Sequence, residues 1–287
     1  MLKIGIDLGG TNIAAGIVNS EFKIIAKAST PTVVTEGADR VAADISALCK
    51  KITADNSISM SEIESIGIAS PGIANNVDGV VEYANNLPFS KFPICKLVSE
   101  ATGVASVHVE NDANAAAWGE AIAGAAKGTT NSVMITLGTG VGGGIIIDGK
   151  VYSGFNFAGA ELGHIVIEYD GLPCSCGRKG CLEAYASATA LIRDTKRAME
   201  AHKDSKMWEI GSLDNVTGKT AFDYKDSDEY AAAVVENYIE MLDHCKIDIV
   251  MVETGADVHA SFCIEALNRN MDVFSDIPSV ASLKEAD

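Results

Sequence analysis

Between positions 111 and 183 the sequence gathers side chains suited to phosphoryl transfer beside a bound metal. Asp112 follows Asn111 and opens a run of small residues that suits a helix. Two roles compete for its carboxylate. It could cap the helix by accepting from orphan N–H groups, or it could take the proton from a hydroxyl whose oxygen attacks a γ-phosphate. One oxygen cannot fill both, so catalysis requires the side chain to point into a cleft, oriented by Asn111.

Glu161 and His164 stand three apart, on one face of a helix or at a turn. A lone histidine is more often a satisfied core residue than a ligand, but Cys174, Cys176 and Cys181 follow within 17 positions. One imidazole and three thiols suit tetrahedral zinc, and four protein ligands leave no open position, so the site would be structural. Free reduced thiols are the alternative. The spacing is tighter than a zinc finger's, and no basic helix for DNA accompanies it. Glu183, two residues after Cys181, begins a helix, where an acidic residue is favourable against the dipole. If the metal cluster fixes this turn, Glu161 and Glu183 instead become rigid acceptors for sugar hydroxyls.

Two segments must carry the phosphates. Residues 3–18 (KIGIDLGGTNIAAGIV) and 132–151 (SVMITLGTGVGGGIIIDGKV) share one layout, a β-branched run, a glycine turn and a second apolar run. Each reads as a β-hairpin whose glycines take positive φ and leave N–H groups free to face an anion. One such hairpin is only a tight turn. Two, roughly 130 residues apart, imply a duplicated fold with one phosphate hairpin per lobe.

Around them the periodicity predicts a helix over 39–51, strands over 63–69 and 104–109, a hairpin-like stretch at 79–83, a small-residue helix over 115–126, and helices over 183–201 and 228–242. Ser227 or Asp228 is expected to cap the last of these. A chain of 287 residues with 47% hydrophobic side chains can bury a large core in two lobes. Its formal charge of -17 argues against nucleic acid and anionic membranes as partners, and asks that a nucleotide be held by backbone cradles and a divalent cation. Strand-like alternation starts at the first residues without a signal-type leader, and no apolar run spans a bilayer, so a cytoplasmic location is expected. Seven cysteines, three clustered, read as metal ligands plus reduced thiols rather than a disulfide frame.

The motifs IGIDLGGTN (4–12), VENDANAAAWGE (109–120), LGTGVGGG (137–144), GAELGH (159–164) and CSCGRKGCLEAYAS (174–187) closely resemble those of the ROK family, and within it the zinc-containing bacterial glucokinases. That resemblance covers residues 1–242. It implies an α/β actin/hexokinase-like (ribonuclease H-like) two-lobed fold that phosphorylates the 6-hydroxyl of a hexose, glucose first, with ATP and Mg2+. It implies Asp112 as catalytic base and Asn86, Asn111, Asp112, Glu161, His164 and Glu183 as sugar ligands. It places Asp7, Gly9, Gly10, Thr11 and Asn12 on phosphate and magnesium, and Gly138, Thr139 and Gly140 on the other side of the nucleotide. His164, Cys174, Cys176 and Cys181 would bind structural Zn2+. A homo-oligomer, dimer or tetramer, is implied as well. The expected division is a first lobe at 1–115, a second at 116–242 and an atypical tail at 243–287. The family's repressors need a DNA-binding extension, and Met1-Leu2-Lys3 leads straight into the first hairpin, so a kinase is expected ahead of a regulator.

In the tail, IDIVMVETGADVHASFCIEALNRNMDVFSDIPS reads as strand, loop, helix and strand, and resembles part of the nucleotide domain of Gfo/Idh/MocA oxidoreductases without their glycine fingerprint. A fusion, an assembly artefact, or a divergent end whose strand near 247–252 replaces the family's own would each account for it. A hybrid sequence is the reading favoured here, and it predicts an incomplete nucleotide pocket. A non-catalytic or impaired sugar-binding ROK protein, regulator-like or a hybrid gene product, is the functional alternative that follows from it.

Overall fold

A computed structural model of the chain describes residues 1–245, 249–252 and 272–275, with side chains through Tyr238. The chain forms two compact units. The first comprises Met1–Ala123 and Lys150–Ala160; the second comprises Gly124–Gly149 and the residues from Glu161 onward.

In the first unit, strand β1 (Leu2–Leu8) buries Ile4, Ile6 and Leu8 and turns Lys3, Gly5 and Asp7 outward. Burying such an aliphatic side chain stabilises by roughly 1.5–3 kcal/mol, so a one-residue slip that buried Asp7 in their place is strongly disfavoured. Strand β1 pairs antiparallel with β2 (Asn12–Val18), which pairs antiparallel with β3 (Ile24–Pro31). On its other side β1 runs parallel to β4 (Ile63–Ser70). A small antiparallel sheet follows, β5 (Ile73–Asn75), β6 (Val80–Tyr83) and β7 (Ser90–Phe92). Strand β8 (Val107–Asn111) then joins β4 in parallel, giving the order β3-β2-β1-β4-β8.

Helix α1 (Ala38–Asp55) lays Val41, Ala42, Ile45, Leu48, Cys49 and Ile52 into the core, at the i, i+3/i+4 spacing of one helical stripe. Helix α2 (Ile94–Thr102) adds Ile94 and Val98. The parallel register fixes the functional edge: Asp7 stands opposite Ala69, and Ser70 opposite Asn111. Strand β8 thus runs two residues beyond its expected end. That extension brings Asn111 to the same carboxyl edge as the turn after β1, which is where open α/β sheets bind ligands. Helix α3 (Asp112–Ala123) starts there and carries the half-exposed Trp118.

The second unit repeats the arrangement. Strands β9 (Ser132–Leu137) and β10 (Val141–Ile147) form the second hairpin, and the chain then passes through the short strand β11 (Lys150–Val151). Strand β12 (Ile249–Val252) runs parallel to β9, and β13 (Asp272–Ser275) parallel to β12. These correspond to β4 and β8 of the first sheet, and they fall on the first and last strands expected of the tail. The loop and helix expected between these two strands lie outside the described residues.

The helix expected over 183–201 is two helices, α4 (Glu183–Ala186) and α5 (Ala188–Ala201). Ser187 takes an extended backbone between them, and its hydroxyl caps α5 by accepting from the Ala190 N–H. Helix α6 (Thr220–Tyr224) precedes α7 (Glu229–Cys245). Asp228 caps α7, accepting from the N–H groups of Tyr230 and Ala231 at 2.8 and 3.1 Å and from the Ser205 hydroxyl at 2.7 Å. Burial works to raise its pKa, but these hydrogen bonds outweigh it and hold the carboxyl below its usual range. Nearby, the Trp208 indole N–H donates to the carbonyls of Met199 and His202 at 3.0 and 3.1 Å, with the Lys203 ammonium 4.5 Å from its ring centre. No helix among the described residues is long and apolar enough to cross a membrane.

Candidate functional site

The competition over Asp112 is resolved by its neighbour. Asn111 is the cap of α3, its side-chain oxygen accepting from the Asn114 N–H at 3.1 Å while its amide donates to the Gly72 carbonyl at 3.1 Å. Asp112 is therefore the first helical residue and is exposed, with one oxygen accepting from the Ala113 N–H at 2.8 Å. The helix end needs nothing more from it, so the carboxylate is available for a substrate.

Glu110 anchors this turn, and sequence reasoning missed it. One of its oxygens accepts from the Asn111 N–H at 3.0 Å and the Asn114 amide at 3.2 Å. The other accepts from the Asn76 amide at 2.6 Å and the Ser153 hydroxyl at 3.5 Å. Four donors on one half-buried carboxylate tie β8, α3 and two loops into a single junction. Its place directly before Asn111-Asp112 was the available signal.

The first glycine turn closes on itself, the Gly9 N–H donating to the Asn12 carbonyl at 2.9 Å, and the Thr32 hydroxyl clamps the Gly9 carbonyl at 2.7 Å. Neither Gly9 nor Gly10 has the positive φ expected of it. The requirement is space: a Cβ on Gly10 would stand 3.3 Å from the Asn86 amide nitrogen and 3.4 Å from its carbonyl. Asn86, predicted to contact sugar, is thereby seated against the phosphate-type turn. Asp7 ends the outward row of β1, and Thr11 and Asn12 are exposed.

In the second unit the corresponding turn is held by side chains from elsewhere. The Gly138 N–H donates to the Gly140 carbonyl at 3.0 Å, the Ala188 N–H donates to the Gly138 carbonyl at 2.9 Å, and the Thr189 hydroxyl donates to the Thr139 carbonyl at 2.7 Å. Glu183 accepts from the Val141 N–H at 3.1 Å, and a Cβ on Gly140 would fall 2.5 Å from that same carboxylate oxygen. Gly140, like Gly10, is a glycine for room rather than for φ. The free N–H groups expected of both turns are also corrected in part, since those of Gly9 and Gly138 close their own loops.

Glu161 and His164 meet at a 3-10 turn (Leu162–His164), where the His164 N–H donates to the Glu161 carbonyl at 3.1 Å. Gly163 lets this turn lie on β10, since a Cβ there would be 1.9 Å from the Val141 carbonyl oxygen. The ligand atoms of His164, Cys174, Cys176 and Cys181 all lie within 4.8 Å of one another. His164 Nδ1 is 3.6 Å from Cys174 Sγ, and Cys176 Sγ is 3.7 Å from Cys181 Sγ. His164 Nδ1 thus faces the thiols, which leaves Nε2 for another partner. The loop is built locally: the Cys174 N–H donates to the Arg178 carbonyl at 2.9 Å, and Val166 bridges Cys181. Tyr185 secures it, donating to Glu168 and accepting from the Leu172 N–H at 2.7 Å.

The thiols are electrostatically unequal. Hydrogen bonds from Arg178 lower Cys176 to about 6, whereas burial raises Cys181 to about 11. A divalent cation among them supplies the charge that allows all three to ionise, so the donor set fits a tetrahedral metal. Glu161, Glu183 and Asp112 are each placed by the turn that precedes or contains them; the contacts seen among predicted residues include Gly10 with Asn86, Gly140 with Glu183, and His164 with the three cysteines.

A hairpin, a parallel strand and a carboxyl-edge Asn-Asp turn, with a second hairpin beside a Cys/His cluster, define the mixed α/β fold of the ROK hexokinases. The chain belongs to the ROK family, whose model matches residues 3–255 and so includes β12. It is 35% identical to a glucokinase of Thermotoga maritima over 242 residues, covering 83% of this chain and 74% of that protein. It is 26% identical to an N-acetylmannosamine kinase of Escherichia coli over 289 residues, covering 98% and 91% respectively. The crystal structure of a ROK family glucokinase from Streptomyces griseus in complex with glucose and AMPPNP matches with a TM-score of 0.70 at 30% identity, covering 96% of this chain and 94% of that one.

Proposed function

We propose that this chain is an ATP-dependent hexose kinase that phosphorylates the 6-hydroxyl, with glucose as its preferred sugar. The observation that carries the reading is the Asn111–Asp112 turn, where Asn111 takes over the capping duty and Asp112 is left exposed at the carboxyl edge of the sheet. In this scheme Asp112 accepts the hydroxyl proton, the freed oxygen attacks the γ-phosphorus, and the bond from that phosphorus to the β-phosphate oxygen breaks to release ADP. Such a transfer asks the protein for positioning and charge neutralisation more than covalent help. The two glycine turns, Gly9 to Asn12 and Gly138 to Gly140, are the proposed nucleotide contacts. Magnesium, when bound with the nucleotide, neutralises phosphate charge, and Asp7 is the carboxylate proposed to meet it.

Asn86, Asn111, Glu161, His164 and Glu183 are the proposed sugar ligands beside Asp112. Glu183 can serve although both its oxygens already hold protein donors, because each carboxylate oxygen accepts more than one hydrogen bond. Once a bound sugar covers them, acceptors of this kind discriminate between hexoses, since a wrong sugar leaves them unpaired. His164, Cys174, Cys176 and Cys181 are proposed to hold zinc in a closed, structural role. Glucose as first choice rests on the Thermotoga and Streptomyces relatives, and the N-acetylmannosamine kinase marks the competing sugar.

The test is a coupled assay of sugar 6-phosphate formation with glucose, mannose, N-acetylglucosamine and N-acetylmannosamine. The highest kcat/KM is expected with glucose. Turnover of none of them would overturn the kinase assignment, and a higher value for an N-acetylated sugar would overturn the substrate.

A further inference from the structure

We propose that Ser175 and Glu183 form a strut that transmits the order of the metal loop to the glycine turn at 138–140, so that metal occupancy sets nucleotide affinity. The strut has three parts in series. Ser175 lies between two of the candidate metal ligands, Cys174 and Cys176, so binding the metal fixes its backbone from both sides. Its hydroxyl donates to Glu183 Oε1 at 2.8 Å. The opposite oxygen, Glu183 Oε2, accepts from the Val141 N–H at 3.1 Å and fills the room that the missing Cβ of Gly140 leaves.

The thiol of Cys174 also lies 3.7 Å from Oε1, but a thiolate bound to metal carries no proton to donate. With metal present, Ser175 is therefore the donor that sets this carboxylate. A carboxylate acceptor makes the Val141 bond charge-assisted and stronger than the neutral ladder bonds beside it. The far side of the turn is gripped independently by Ala188 and Thr189. One grip depends on the metal loop and the other does not, so the metal-dependent one can be removed without unravelling the turn.

The experiment is residue-resolved hydrogen exchange of the Val141 amide, joined to AMP-PNP binding by calorimetry, on the metal-loaded protein, the chelator-stripped protein, Ser175→Ala and Thr189→Ala. Glu183→Ala sets the level of exchange for a Val141 amide without its acceptor. The expected result is about tenfold faster Val141 exchange in the stripped protein, and a severalfold increase in Ser175→Ala at full metal content, with the Leu191 amide in α5 still protected. AMP-PNP affinity should fall about three- to tenfold in both, while Thr189→Ala weakens it equally whether metal is present or not. If stripping unfolds α5, the metal-loaded Ser175→Ala decides alone. Unchanged Val141 exchange in that variant, or faster exchange with unchanged AMP-PNP affinity, overturns the strut. The nucleotide arm rests on the kinase reading, and failure of the unaltered, metal-loaded protein to bind AMP-PNP at all would strike that reading instead.

Discussion

The two hairpins solve one geometric problem by different means. In the first unit the glycine turn is wedged by neutral groups of its own unit, with Asn86 against Gly10 and the Thr32 hydroxyl on the Gly9 carbonyl. In the second it is wedged by a carboxylate whose other oxygen is tied to the loop that carries the candidate metal ligands. The first hairpin rests on an apolar core, where Ile4, Leu8, Ile13, Ile17 and Ile45 are essentially without solvent contact. The second draws on three thiols and an imidazole. The two sheets thus share one strand order while the bracing of their turns differs, and under the proposal above only the second turn answers to a metal.

Asp112→Asn should separate the units most sharply. It removes the proton acceptor in the first unit and leaves the second untouched, so kcat should fall about 10²- to 10⁴-fold while calorimetric glucose affinity and metal content stay near those of the parent. Cys181→Ser does the converse. Cys181 is fully buried among the candidate ligands, and its loss should abolish bound zinc by elemental analysis. Tm should drop by about 10 °C, the shift expected for a loss of roughly 3 kcal/mol in a chain of this size.

The turns themselves can be compared directly with Gly140→Ala and Gly10→Ala. A Cβ at Gly140 meets a carboxylate at 2.5 Å, whereas at Gly10 its nearest neighbour is at 3.3 Å. The KM for ATP should therefore rise about tenfold in the former and about two- to threefold in the latter, a difference of up to roughly 1 kcal/mol. Equal effects would show that the bracing does not matter.

Glu110→Gln is a subtler change within the first unit. Its amide turns one acceptor into a donor facing others, so kcat should fall about tenfold, the cost of about one strained hydrogen bond, with the sugar KM little changed. Smallest is Asp228→Asn in the second unit. It should cost about 1 kcal/mol as a lost charged cap, or roughly 2–4 °C in Tm. Because the Asp228 carboxyl is held below its usual range, its contribution is present above the unfolded pKa and disappears as pH falls through the folded one. Parent and variant should accordingly converge in Tm on acidification.

The parts of this molecule that were legible in sequence are those encoded locally. Alternation over 3–18 and 132–151 specified both hairpins, the stripe of α1 specified its buried face, and the Cys-x-Cys spacing pointed to the Cys/His cluster. Glu110 was not legible because two of its donors come from Asn76 and Ser153, 34 and 43 positions away. The break at Ser187 was hidden in an uninterrupted helical pattern; it arises because Ala188 and Thr189 must reach the turn at 138–140. Glycines expected for their φ turned out to be needed for clearance, a property of neighbours that lie 76 and 43 positions away, Asn86 from Gly10 and Glu183 from Gly140. In the tail the two strands were legible but their place in the sheet was not. Strand β12 is only four residues long, and its partner β9 lies more than a hundred positions upstream.

The chain has two tryptophans, and they fall one in each unit. Trp118 sits on α3, six positions after Asp112 and 39% exposed, while Trp208 is half-buried and pinned by two carbonyls beneath a lysine. Their intrinsic emission should therefore differ in wavelength and in quenching by iodide. Single Trp→Phe variants give each unit its own optical signal, and loss of zinc and occupation by sugar become separately observable events along one denaturation curve.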